Sequence, residues 1–99
     1  VFAAGRDKDA RAMLSRLESL APAAAFFVTR TRNERALSAE ELRTIADSVG
    51  VDSERAESVR EAVAAALARA GSGRVLLCGS LFAVGEAMEA FGGAPGECI

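Results

Sequence analysis

The sequence contains no histidine, which excludes a Ser-His-Asp triad, a histidine metal ligand and an imidazole base within this chain. Tryptophan and tyrosine are also missing, so the core has to be built from Val, Leu, Ile, Ala, Met and the five Phe. Cysteine is scarce. Cys78 in an apolar run and Cys98 near the end make neither a disulfide framework nor a zinc motif, and they fit thiols in a reducing cytosol. A basic excess is lacking too: 12 Lys and Arg against 14 Asp and Glu leave a net charge of -2. That argues against a nucleic-acid partner, which calls for a basic face or stripe. The longest nearly apolar stretch, residues 20–28, is too short to span a bilayer and contains Pro22. It lies well inside the chain and opens no signal peptide. The expectation is a cytoplasmic, soluble protein with no membrane partner. No glycine-rich loop followed by lysine occurs, so triphosphate is not held here by a P-loop.

What is present reads as one domain of alternating elements. Val1-Phe2-Ala3-Ala4 is a short apolar strand closed by Gly5, and a strand at the first residue is expected of a chain that begins mid-domain. Ala10, Met13, Leu14, Leu17 and Leu20 then recur at helical spacing, with Asp9 at the N-cap position and Pro22 just past the end. Ala25-Phe26-Phe27-Val28-Thr29 is an apolar run without alternation, the pattern of a strand covered on both faces. After a charged loop, Ser38 and Glu41 have capping-box spacing, Leu42, Ile45, Ala46 and Val49 form a buried stripe, and Gly50 stops the helix. Residues 51–57 read weakly, as a short edge strand and loop.

Ser58 and Glu61 repeat the capping-box spacing ahead of a stripe of Val59, Ala62, Val63, Ala66, Leu67 and Ala70, closed by Gly71. Arg74-Val75-Leu76-Leu77-Cys78 is a further apolar strand, broken at Gly79-Ser80. A last helix runs from about Leu81 to Phe91, with Gly92-Gly93 closing it and residues 94–99 a flexible tail. Strand and helix alternating with short connections predict right-handed crossovers and an α/β fold with a mostly parallel sheet flanked by helices.

Parallel sheets bind ligands beyond the carboxyl ends of their strands, so three segments are candidates. Gly79-Ser80 can expose backbone N–H groups at a helix start, where an anion is favoured, or Ser80 can simply cap the last helix. In Asp7-Lys8-Asp9, Asp7 can meet a ribose or metal and Lys8 can neutralise a phosphate or carboxylate. The alternative is capping by Asp9 within a solvated charge cluster. Arg30, Arg32 and Arg35 can clamp an anion or form a solvated loop. Glu86 reads as a surface carboxylate, and Gly85 as a place where the last helix approaches the sheet closely.

These blocks resemble a known family. The segment ending in Asp7-Lys8-Asp9, followed by Met13-Leu14, is similar to the Asp-Lys-Asp segment of bacterial folylpolyglutamate synthases. Thr29 with Arg35-Ala36 and Glu41-Leu42 fits the next family block. Gly79-Ser80-Leu81-Phe82-Ala83-Val84-Gly85-Glu86 looks like the Gly-Ser-Leu-Tyr-x-Val-Gly-Glu signature. The resemblance is to the folylpolyglutamate synthase/dihydrofolate synthase family of Mur-ligase-like enzymes. It implies that residues 1–93 are a Rossmann-like, three-layer C-terminal domain, incomplete on its N-terminal side. It implies an ATP-dependent ligase that activates a folate or dihydropteroate carboxylate as an acyl phosphate, which the amine of L-glutamate attacks. ATP and Mg²⁺ would be bound mainly outside this chain, by an N-terminal P-loop ATPase domain of the same enzyme.

By the same resemblance Ser80 and Gly79 would bind glutamate, Lys8 would neutralise charge at the reaction centre, and Asp7 would face the nucleotide. No residue of the chain is implied as a metal ligand. The family's Asp-Gly-Ala-His-Asn-Pro segment, its P-loop and its Mg²⁺ ligands do not occur here, so the isolated 99-residue chain is expected to be inactive. Phe82 stands where Tyr is common and Cys78 where Thr is common. The alternatives are a non-catalytic Rossmann-like interaction module with an exposed sheet edge, or the C-terminal domain of another Mur-type ligase.

Overall fold

The computed structural model describes residues 1–6, 8–21 and 24–91. Asp7, Pro22, Gly92, Gly93, Cys98 and the expected tail fall outside the described residues. Helix α1 spans Ala10–Leu20 and opens where Asp9 accepts the Ala12 N–H at 3.1 Å. Helix α2 spans Ala39–Ser48 and carries the full capping box: Ser38 Oγ accepts the Glu41 N–H, and Glu41 Oε1 accepts the Ser38 N–H, each at 3.0 Å. It ends at Val49, followed by Gly50 with φ of +77°, a conformation few other residues adopt. Helix α3, Val59–Ala70, opens on a one-way cap: Ser58 Oγ accepts the Glu61 N–H at 3.1 Å, without the return bond that the spacing predicted. Helix α4 spans Leu81–Phe91.

Strands β1 (Phe26–Thr29) and β2 (Ser53–Ala56) pair in parallel, with Phe26 opposite Ser53 and Thr29 opposite Ala56. Thr29 Oγ1 donates to the Ala56 carbonyl at 3.0 Å, which satisfies a buried hydroxyl. Two further extended segments continue the sheet through parallel bridges, Phe2 with Val28 and Phe2 with Cys78. The Phe2 N–H donates to the Phe27 carbonyl at 2.8 Å, and the Cys78 N–H donates to the Val1 carbonyl at 3.0 Å. Across the sheet the order is therefore β2, β1, the Phe2 segment, the Cys78 segment. In chain order these are the third, second, first and fourth extended segments.

Side-chain alternation sorts the sheet into two buried faces, as the pleat requires. Phe2, Ala4, Phe26, Val28 and Cys78 pack on one face against Leu14 of α1 and Leu42 and Ala46 of α2. Ala3 and Leu77 face the other way, onto Val59 and Val63 of α3 and Ala83 and Ala87 of α4. Phe27 joins them there against Ala62 and Ala66 of α3. The result is the three-layer α/β arrangement, with Leu14 and Leu42 wholly buried; each contributes roughly 1.5–3 kcal/mol by leaving water.

Two expectations change. The apolar run at 74–78 joins the sheet through a bridge at Cys78 rather than as a strand along its length, and Leu76 remains 65% exposed. Gly85 makes no close approach to the sheet. It is exposed, and a methyl group built there would meet nothing within 4 Å. The small residues that let α4 sit down are Ala83 and Ala87, one helical turn apart.

Candidate functional site

The strand order reverses between the Phe2 segment and the Cys78 segment. The chain leaves the first into α1 and the second into α4, and these helices lie on opposite faces of the sheet. Such a reversal opens a crevice beyond the carboxyl ends of the two strands. The loops that follow the two strands carry Gly5-Arg6 and Lys8 on one side and Gly79-Ser80 on the other.

Gly79 forms the tightest point of this edge. Its φ is +98°, and a Cβ there would lie 2.2 Å from the Ala3 carbonyl oxygen and 3.0 Å from Phe2 Cε1. Only a glycine lets the backbone turn this close to the neighbouring strand. Ser80 caps the start of α4: its Oγ accepts the Phe82 N–H at 3.1 Å, and its carbonyl accepts the Val84 N–H at 3.3 Å. Accepting that bond leaves the Ser80 hydroxyl proton available to donate outward. The capping role and a ligand role are therefore compatible.

The first loop is fastened from the other side. Ala4 accepts the Leu37 N–H at 2.9 Å, and the Arg6 N–H donates to the Arg35 carbonyl at 2.8 Å. The Arg6 guanidinium grips Glu41 with two bonds of 2.8 Å, Nη1 to Oε2 and Nη2 to Oε1. That guanidinium, with the Ser38 backbone N–H, holds the Glu41 carboxyl well below its ordinary range, at about 2. One carboxylate thus closes a helix cap and anchors the loop bearing Lys8. The Lys8 side chain is exposed, and no ion pair to it forms among the described residues. Asp7 lies outside them. Asp9 is committed to capping α1.

The arginines of the loop after β1 separate by role. Arg32 is bound to α4: its backbone N–H donates to Glu86 Oε2 at 2.7 Å, and its guanidinium pairs with Glu89. Arg30, exposed, lines a cleft of about 610 Å³ with Thr31, Ser58, Arg60 and Glu86. Cys78 sits at the floor of the sheet edge, where burial pushes its thiol up from its ordinary value. Among the described residues, no three His, Cys, Asp or Glu side chains gather as metal ligands, and no helix is long and apolar enough to cross a membrane.

Sequence reasoning missed the Arg6–Glu41 and Arg32–Glu86 tethers. Each joins residues far apart in the chain, so no local spacing announces it.

No protein-family model matches the sequence, and no curated protein matches it. Among solved structures, the chain is similar to folylpolyglutamate synthase from Mycobacterium tuberculosis, solved in complex with ADP. The TM-score is 0.76 and the identity 28% over 94% of this chain. The chain spans 23% of the length of that enzyme. The likeness supports kinship with that ligase family.

Proposed function

We propose that this chain is the C-terminal domain of an ATP-dependent ligase that joins L-glutamate to a folate or dihydropteroate carboxylate. The observation that carries the reading is the strand-order reversal, which sets the Lys8 loop and Gly79-Ser80 on the two sides of one crevice. The likeness to the Mycobacterium tuberculosis enzyme supplies the chemistry. In this reading ATP, with Mg²⁺ bound mainly by the rest of the enzyme, supplies the phosphoryl group that activates the carboxylate.

The residues of this chain then act on the second half-reaction. Lys8 brings an ammonium to the edge where negative charge builds as the glutamate nitrogen bonds to the activated carbonyl carbon and phosphate departs. Ser80 donates its hydroxyl proton to a carboxylate of glutamate, beside backbone N–H groups at the start of α4. Asp7 faces the nucleotide side. Closing the crevice over the substrates holds the amine near its target and excludes water. The remaining parts of the machinery come from the ATPase domain, so the 99 residues alone ligate nothing.

The test uses a full-length enzyme containing these residues. Ser80→Ala is expected to raise the glutamate KM by roughly ten- to a hundredfold, the scale of one hydrogen bond to a charged group, with less change for ATP. Lys8→Ala is expected to lower kcat by about a hundredfold. A full-length enzyme that joins no glutamate to a reduced folate or to dihydropteroate overturns the assignment.

A further inference from the structure

Helix α4 meets the sheet through Ala83 and Ala87, two short side chains packed on Ala3, Val59, Val63 and Leu77. Methyl groups at successive turns let a helix come close, but they interdigitate little, so they set its height above the sheet better than its position along its own axis. The axial position matters, because Gly79 and Ser80 lie at the start of this helix and move with it. Something directional has to fix it.

The Glu86 carboxylate meets that need. It lies on α4 with only 15% of its side chain exposed, and its Oε2 accepts the backbone N–H of Arg32 at 2.7 Å, with Arg32 Nε 3.7 Å away. A charged acceptor on a backbone donor is short, strong and angularly selective. Arg32 follows β1 by a few residues, and its neighbour Thr31 is buried, so the donor sits on an anchored part of the loop. The Arg32 side chain reaches on to Glu89, one turn further along the helix, and braces the same junction from the solvent side. Gly79 fixes the near end of α4 against Ala3, and Glu86 fixes its middle against the β1 loop.

We propose that Glu86 is a positioning residue: by accepting the Arg32 N–H it locks the register of α4, and so aims Gly79-Ser80 into the crevice. Its consequence for glutamate rests on the ligase reading above; the lock itself does not.

The test compares Glu86→Gln with Glu86→Met in the full-length enzyme. The two replacements have nearly the same shape, but only glutamine keeps an oxygen that accepts the Arg32 N–H. Hydrogen exchange of the segment containing Arg32, followed by mass spectrometry, reads the lock directly. Glu86→Met is expected to speed exchange there about tenfold and to raise the glutamate KM several-fold, with ATP KM unchanged. Glu86→Gln is expected to restore both values to near wild type. A purely structural role would move the melting temperature alike in both variants and leave the glutamate KM alone. Unchanged exchange at Arg32 in Glu86→Met overturns the lock, and faster exchange with an unchanged glutamate KM overturns its positioning role. If the wild-type enzyme ligates no glutamate, the ligase reading falls while the exchange comparison still decides the lock.

Discussion

Replacing Gly79 with alanine adds a single methyl group at the junction of sheet and helix. That Cβ would lie 2.2 Å from the Ala3 carbonyl oxygen, an atom of backbone that cannot swing aside, and 3.0 Å from Phe2 Cε1 in the buried core. The residue also has φ of +98°, where an alanine is strained by about 1–2 kcal/mol before any clash is counted. Relieving the clash means separating the Cys78 segment from the Phe2 segment, where the Ala3 N–H to Cys78 carbonyl bond is already 3.3 Å long. Overpacking of this kind costs a further 1–3 kcal/mol or so. The sum, about 2–5 kcal/mol, is a large part of the roughly 5–15 kcal/mol that holds a domain of this size folded. At about 4–8 °C per kcal/mol, the melting temperature should fall by roughly 8–40 °C, as followed by far-UV circular dichroism. Gly85→Ala is the control, because the same methyl group meets nothing within 4 Å on an exposed helix. It should raise stability by up to about 1 kcal/mol through helix propensity. If Gly79→Ala melts within about 5 °C of the parent, the close-approach reasoning is wrong.

Ser53 carries a buried hydroxyl with no partner among the described residues, so Ser53→Ala should stabilise by about 1 kcal/mol in urea denaturation; a loss of stability would show that the hydroxyl is satisfied after all. Glu41 titrates at about 2 when folded against an ordinary 4.5, so its stabilisation is complete above pH 4.5 and is lost as pH falls toward 2. Arg6→Ala should therefore flatten the acid limb of the stability profile within that window, and an unchanged limb would mean the ion pair contributes nothing. Cys78 should react with a thiol reagent at pH 8 more slowly than a free cysteine does, once Cys98 is replaced by serine, since burial disfavours its thiolate. Alkylation at the rate of an unfolded control would refute its burial.

Local rules made the helices legible. Asp9, Ser38 and Ser58 each accept an N–H three residues ahead, and such caps depend on spacing that can be read directly. The second half of the Ser58–Glu61 box did not form, since a reciprocal cap needs the glutamate to turn back and an exposed side chain has water as an alternative partner. β2 was faint because Ser53, Glu54 and Arg55 carry no apolar pattern; pairing with β1 makes it a strand. Leu76 went the other way: it stands in an apolar run that read as a strand, yet it is largely exposed.

The sequence by itself determined the alternation of strands and helices, the caps, and the candidate residues at 7–9 and 79–80, because each follows from hydrophobic period or from a side chain acting within a few residues. Tertiary structure alone decided the order of the sheet, with the Phe2 segment between β1 and Cys78, and therefore which loops follow neighbouring strands. It also decided that Arg6 holds Glu41 and that Arg32 holds Glu86, contacts spanning 35 and 54 positions. The physical reason is the range of the forces involved. Backbone hydrogen bonding and capping act between near neighbours in the chain, whereas a carboxylate takes whichever donor the packed layers bring to it.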